Sequence, residues 1–281
     1  MEKELEKIRT QQKESWNLFS SGWKKWDNLT MEFMRPVGDE IIRVLHPADH
    51  QMILDVASGT GEPGLTIASM LKDGKVTLTD LSEDMLTIAR ENAAKKGIKN
   101  IETVVADVCE LPFKDGVFDA ISCRFGLMFF PDMSVAMKEM VRVLKPGGKI
   151  AVSVWNIPEK NFWITALMSA INKNMELPIP PPGSPGIFRC AGSGMIAGLF
   201  RKAGLKNISE KEVAGKLNCE TGDLYWSMMT EIAAPVAAAL SKAGDELKEK
   251  IKREVAEAIH HQYPTDPFFL DSSALVIYGE K

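Results

Sequence analysis

The 281 residues predict an α/β fold built on a doubly wound, mostly parallel sheet. Three observations carry that expectation. Short apolar runs alternate with helical patterns from residue 52 to residue 155; a glycine turn, Gly59-x-Gly61-x-x-Gly64, directly follows the first run; and an acid, Asp80 or Asp107, stands at or just past the end of each of the next two. Such alternation marks βαβ units, whose parallel strands are covered by helices on both faces.

Residues 3 to 35 set Leu5, Ile8, Trp16, Phe19, Trp23 and Trp26 among charges, which predicts one or two amphipathic helices before the first strand. Strand and helix then alternate through MILDVA, GLTIASML, KVTLTD, SEDMLTIARENAAKK, IETVVA, FDAISC, VAMKEMVRVL and KIAVSVW. Ser82 is placed to cap a helix whose first turn holds Glu83 and Asp84, and Gly97 follows Lys95 and Lys96 as its stop. LKPGGK ends the next helix and turns the chain back toward a strand. After Trp155 a proline-rich stretch, ELPIPPPGSPG, allows no regular element. A helix, GMIAGLFRKAG, and a strand, KNISEKEVAG, come next; residues 223 to 262 read as helical, with Leu247, Ile251, Val255 and Ile259 on one face; ALVIYGE closes the chain as a strand.

Composition narrows the partners. With 45% hydrophobic and 26% charged residues the chain sits near the globular average, and no apolar run approaches the ~20 residues of a membrane span. The N-terminus is charged from its second residue and lacks a signal-peptide core, so a cytoplasmic location is expected. A net charge of −4 from 34 basic and 38 acidic residues gives no field that would draw a nucleic acid. Cys109, Cys123, Cys190 and Cys219 are widely spaced, which fits free buried thiols and neither a disulfide framework nor a metal site.

The glycine turn read literally is the dinucleotide fingerprint, which holds a pyrophosphate at a helix N-terminus. Asp55, inside the preceding strand, points elsewhere. A carboxylate at the end of a buried parallel strand is costly unless a charged or hydrogen-bonding group meets it, and a pyrophosphate would repel it. S-adenosylmethionine offers an ammonium and a sulfonium instead. Asp80 lies 21 positions past Gly59 (80 − 59), where an acid takes both ribose hydroxyls of either ligand. Asp107 and the backbone N–H after it suit the amino group and ring nitrogen of adenine.

On LDVASGTG, TDLSEDML, ADVCELPFKDGVFDAISCRFGL and MKEMVRVLKPGGKI, over about residues 50 to 155, the chain resembles the class I S-adenosylmethionine-dependent methyltransferases. Within that class it is similar to the ubiquinone/menaquinone biosynthesis C-methyltransferases. The resemblance implies a seven-stranded Rossmann-like methyltransferase sheet, its final strand antiparallel. It also implies contacts from Asp55, Ala57, Ser58, Gly59, Thr60 and Gly61 to the methionine portion, from Asp80 and Leu81 to the ribose, from Asp107 and Val108 to the adenine, and from Arg124 near the methyl. Met85, on the helix after the ribose acid, joins the cofactor-binding set. Ala57 departs from the glycine common in the class, and the N-terminal substrate motifs of the quinone enzymes are not evident.

The expected organisation is an N-terminal helical lid (1–45), a cofactor-binding core (46–216) with a proline-rich insertion (156–192), a helical substrate cap (217–271) and a final core strand (272–281). The expected activity is methyl transfer to a small apolar or aromatic acceptor, without a metal; oligomeric state is unreadable. Two other readings stay open: an NAD(P)-dependent oxidoreductase, and a catalytically silent cofactor-binding protein. Several side chains have two readings each. Phe19, Trp23, Trp26, Met31, Phe33 and Met34 form either a structural flank or a lid; Tyr225, Trp226, Met228 and Met229 either core or pocket; His260 and His261 either helix-end charges or a base; Arg124 either a cofactor neighbour or the partner of a surface acid. No catalytic residue is singled out.

Overall fold

The computed structural model describes residues 2–281 except 179, 182 and 266, with side chains from residue 5 onward. Seven strands form one sheet: β1 (Met52–Val56), β2 (Lys75–Asp80), β3 (Ile101–Val105), β4 (Phe118–Arg124), β5 (Leu144–Trp155), β6 (Lys206–Cys219) and β7 (Phe268–Glu280). Their order is β3-β2-β1-β4-β5-β7-β6. Strands β1 to β5 pair in parallel, and β7 runs antiparallel to both β5 and β6. The order reverses between β1 and β4. At such a switch point the loops leaving neighbouring strands diverge, opening a crevice at the carboxyl ends.

Central strands read as continuous apolar runs because helices cover both faces: Ile53, Leu54, Val76, Leu78 and Ile121 are all fully buried. Three helices, α3 (Gly64–Met70), α4 (Glu83–Lys95) and α5 (Met133–Val143), connect them. Ser82 caps α4 as expected, accepting from Met85 N at 3.1 Å, and Asp132 caps α5 through Ser134 N and Val135 N. LKPGGK is no separate turn. It lies within β5 as an irregularity, across which the partners pass from Phe118↔Leu144 to Ala120↔Lys149.

The N-terminal segment folds as α1 (Glu2–Lys25) and α2 (Asp27–Leu45). Helix α2 packs on β4 to β7, and α1 on α4 and on the helix that follows β6. The region between β5 and β6 departs from expectation. It contains α6 (Phe162–Asn174) before the proline-rich stretch, of which residues 179 and 182 lie outside the described residues, and then α7 (Met195–Lys202). Between β6 and β7 stand α8 (Gly222–Ile232), α9 (Ala234–Leu240) and α10 (Asp245–Gln262), the last burying Ile251, Val255 and Ile259. Strand β6 runs on through Cys219 and β7 begins at Phe268, so both reach into the segment read as cap. Among the described residues no helix is long and apolar enough to cross a membrane.

Candidate active site

The carboxyl ends of β1 to β5 open into a cavity of about 490 Å³. Its polar end is built by the glycine turn. Ser58 N donates to Thr79 O at 2.9 Å and Gly61 N to Ser58 O at 2.8 Å, closing the turn across the ends of β1 and β2. Gly59, at φ +54, turns its N–H onto Asp80 Oδ2 at 2.9 Å, while Ser82 N takes Oδ1 at 2.9 Å. Both bonds orient the Asp80 carboxylate at the cavity wall, and burial pushes its pKa up despite them. Ala57 adopts φ +52, so the departure from glycine is accommodated in the left-handed region itself.

Ten of the twelve expected cofactor residues line this cavity: Ala57, Ser58, Gly59, Thr60, Asp80, Leu81, Met85, Asp107, Val108 and Arg124. Two do not. Asp55 is fully buried and absent from the wall; Ser122 Oγ donates to its Oδ1 at 2.6 Å and Gly64 N to its Oδ2 at 3.2 Å. The partner its burial demands is therefore the protein's own, which corrects the expected direct contact with a bound cation. Gly61 also lies behind the wall, where a Cβ would meet Leu65 Cδ1 at 2.7 Å; it serves helix packing. Asp107 Oδ1 accepts from Cys109 N at 2.9 Å, and its other oxygen is ion-paired with Arg9 of α1, a partner no local pattern announces.

The far end of the cavity is aromatic. Phe125 stacks on Trp155 with centroids 4.1 Å apart, Phe33 stacks on the same indole at 5.7 Å, and Trp163 meets Phe33 edge-on and Trp155 at a tilt. Trp155 and Trp163 were not among the expected site residues. The position of Trp155, at the carboxyl end of a strand beside β4, could have signalled it; Trp163 sits on the unexpected α6. Trp23, Met31, Phe33 and Met34 also line the cavity, whereas Trp26 donates to Glu231 Oε2 at 2.8 Å, tying the N-terminal helices to the cap.

Of the two readings of Tyr225, Met228 and Met229 the core one holds, and α8 reaches the cavity through Ile232. Tyr225, Met228 and Met229 are buried core, with Tyr225 Oη donating to Trp163 O at 2.7 Å, and Trp226 lines a separate small cleft. His260 and His261 are exposed on α10 and do not reach the cavity, so neither is a base there. Arg124 forms no ion pair with a surface acid among the described residues; it is half-buried in the cavity wall.

Fold and site together define the Rossmann-like methyltransferase class: a seven-stranded sheet of this order with carboxylates at the end of β2 and just after β3. Residues 10–169 match the model of the ubiE/COQ5 methyltransferase family. The chain belongs to that family. It is 28% identical over 193 residues to the demethylmenaquinone methyltransferase of Bacillus subtilis (strain 168), covering 63% of this chain and 80% of the relative. Against the ubiquinone/menaquinone biosynthesis C-methyltransferase UbiE of Shewanella halifaxensis the identity is 41% over 112 residues, 39% of this chain and 45% of the relative, so there the chain spans about half of its relative's length. Among solved structures, YcgJ of Bacillus subtilis aligns with a TM-score of 0.57 at 19% identity, over 87% of this chain and 97% of that one, a likeness of fold.

Proposed function

We propose that the chain transfers a methyl group from S-adenosylmethionine to a flat, apolar acceptor of the quinone type. The observation that carries the reading is a single cavity joining a carboxylate-lined end, with Asp80 and Asp107, to a chamber walled by Phe33, Phe125, Trp155 and Trp163. The donor set fits the cofactor: acids for ribose and adenine, a buried Thr60 hydroxyl without a protein partner, and one cation, Arg124, in the wall among the described residues. A diphosphate would find mostly negative neighbours there.

When bound, the cofactor supplies a methyl group activated on a positively charged sulfur. Asp80, fixed by Gly59 N and Ser82 N, orients the ribose; Asp107 and Val108 receive the adenine; the aromatic wall excludes water and holds a planar acceptor face-on. No His, Lys, Cys or Tyr lines the cavity among the described residues, and Glu62 is engaged by Lys96, Thr66 N and Thr66 Oγ1. The residues therefore position the reactants and leave the acceptor to bring its own nucleophilic electron pair. The names of the relatives agree with an acceptor of demethylmenaquinone type.

Incubation with methyl-labelled S-adenosylmethionine and a reduced demethylnaphthoquinone tests the proposal. Label is expected in the quinol. Stabilisation by NAD but not by S-adenosylhomocysteine would contradict it, as would cofactor binding without turnover on any planar acceptor.

A further inference from the structure

Phe125 follows the last residue of β4 with φ +59, in the left-handed region of the backbone. Glycine adopts that conformation without strain; a bulky aromatic residue does so only where its surroundings impose it. Here they do. Phe125 N donates to Ser153 O at 3.1 Å and to Ser153 Oγ at 3.2 Å, and Ser153 is fully buried in the neighbouring β5. On its other side Gly126 brings the chain against the glycine turn, since a Cβ there would lie 2.6 Å from Ala57 Cβ and 2.9 Å from Cys123 Sγ.

That backbone commits the benzyl group to one place. The Phe125 ring lies almost parallel to the Trp155 indole, at 4.1 Å and an interplanar angle of 14°, and Phe33 lies on the same indole at 5.7 Å and 18°. Trp155 thus carries two stacked partners, whereas among the described residues Phe125 carries one. Phe125 also lines the cavity, and through Gly126 it adjoins Ala57 of the proposed cofactor end. Strain fixed so firmly at a cavity wall marks the side chain that it places.

We infer that Phe125 is the specificity-determining residue of the acceptor chamber: a planar aromatic acceptor stacks on the ring face that Trp155 leaves free, and Ser153, itself outside the cavity wall, positions that face by holding the left-handed backbone. The inference rests on the proposed function and narrows its acceptors to aromatic rings, against saturated rings of the same skeleton. Offset stacking adds to simple burial because the ring quadrupoles complement one another, so only a flat π-system gains from this face.

Titration calorimetry on the chain saturated with S-adenosylhomocysteine tests this with two probes, 1-naphthol and decahydro-1-naphthol, its saturated counterpart. The wild type should prefer 1-naphthol about threefold to tenfold. Phe125→Leu should abolish that preference and Phe125→Tyr should retain it, each binding S-adenosylhomocysteine within about twofold of the wild type, which also shows that the variant is folded. Phe125→Met gives the same reading should the leucine variant fail to fold. Ser153→Ala should diminish the preference in the wild-type background and change nothing in Phe125→Leu, the non-additivity expected of a residue that acts through the ring. No preference in the wild type, or a preference that survives Phe125→Leu or Phe125→Met, would overturn the inference and leave the proposed function standing. A wild-type chain that does not bind S-adenosylhomocysteine would remove the proposed function, and this inference with it.

Discussion

Asp55 shows how burial, hydrogen bonding and register combine at one residue. The β1–β4 register sets Asp55 directly opposite Ser122, whose hydroxyl meets Oδ1, and α3 begins at Gly64, whose N–H meets Oδ2. Gly64 has no room for a side chain: a Cβ would lie 2.4 Å from Leu78 Cδ2 and 2.8 Å from Asp55 Oδ2. Desolvation outweighs both hydrogen bonds and the attraction of Arg124, and raises the Asp55 pKa to about 7. In the unfolded chain the carboxyl titrates near 3.8. Between these values the folded state binds more protons than the unfolded one, so this residue's contribution to stability is full below about pH 4 and falls as pH rises toward 7. The interval corresponds to about 4 kcal/mol. Asp55→Asn removes the titration, so in urea unfolding the wild type should lose stability relative to the variant by a few kcal/mol between pH 4 and pH 8. Parallel pH profiles would refute this. The cost of the buried acid was legible in the sequence; the partner that meets it was not, because Ser122 becomes a neighbour only through strand order.

At the scale of elements, capping and periodicity made α4, α10 and the strand alternation legible, and the failures have identifiable causes. Helix α6 carries apolar residues on several sides, with Trp163, Ile164, Leu167 and Ile171 buried, because it lies between α10, α9 and β7; with little polar face, its period was weak. Tyr225 and its methionines formed an apolar cluster equally suited to core or pocket, and only packing distinguishes the two. Helix α1 is held on the core by contacts distant in sequence: Arg9 with Asp107, Asn17 Oδ1 with Ser82 Oγ at 2.6 Å, and Lys25 with Glu231 at 2.7 Å. Where it crosses α8, Gly22 permits backbone contact; a Cβ there would lie 2.2 Å from Glu231 O. Gly22→Ala should therefore pry α1 from the cap. Hydrogen exchange should quicken in residues 5–25 and 222–232 and stay unchanged in β1 and β4. Uniform protection across α1 would show that the crossing tolerates the methyl group.

For the molecule as a whole, the switch point between β1 and β4 opens the crevice that the cavity occupies, and α1, α2 and residues 232–238 help to enclose it. The proposed cofactor end was legible because it resides in short motifs at strand ends. The proposed acceptor end is assembled from α2, β5, α6 and residues 232–238, segments far apart in the chain whose convergence no local pattern encodes. Since no neutral base lines the cavity among the described residues, the pH dependence of kcat/KM should follow the ionisation of each acceptor. Two quinols of different acidity should give profiles displaced by the difference in their pKa values; a common profile would point to an enzyme group. The most direct measurement of the central claim is a crystal structure with S-adenosylhomocysteine bound. The adenosine is expected between Asp80 and Asp107 and the sulfur turned toward the chamber of Phe125 and Trp155; a nucleoside lodged elsewhere, or a sulfur turned away from that chamber, would contradict the proposed function.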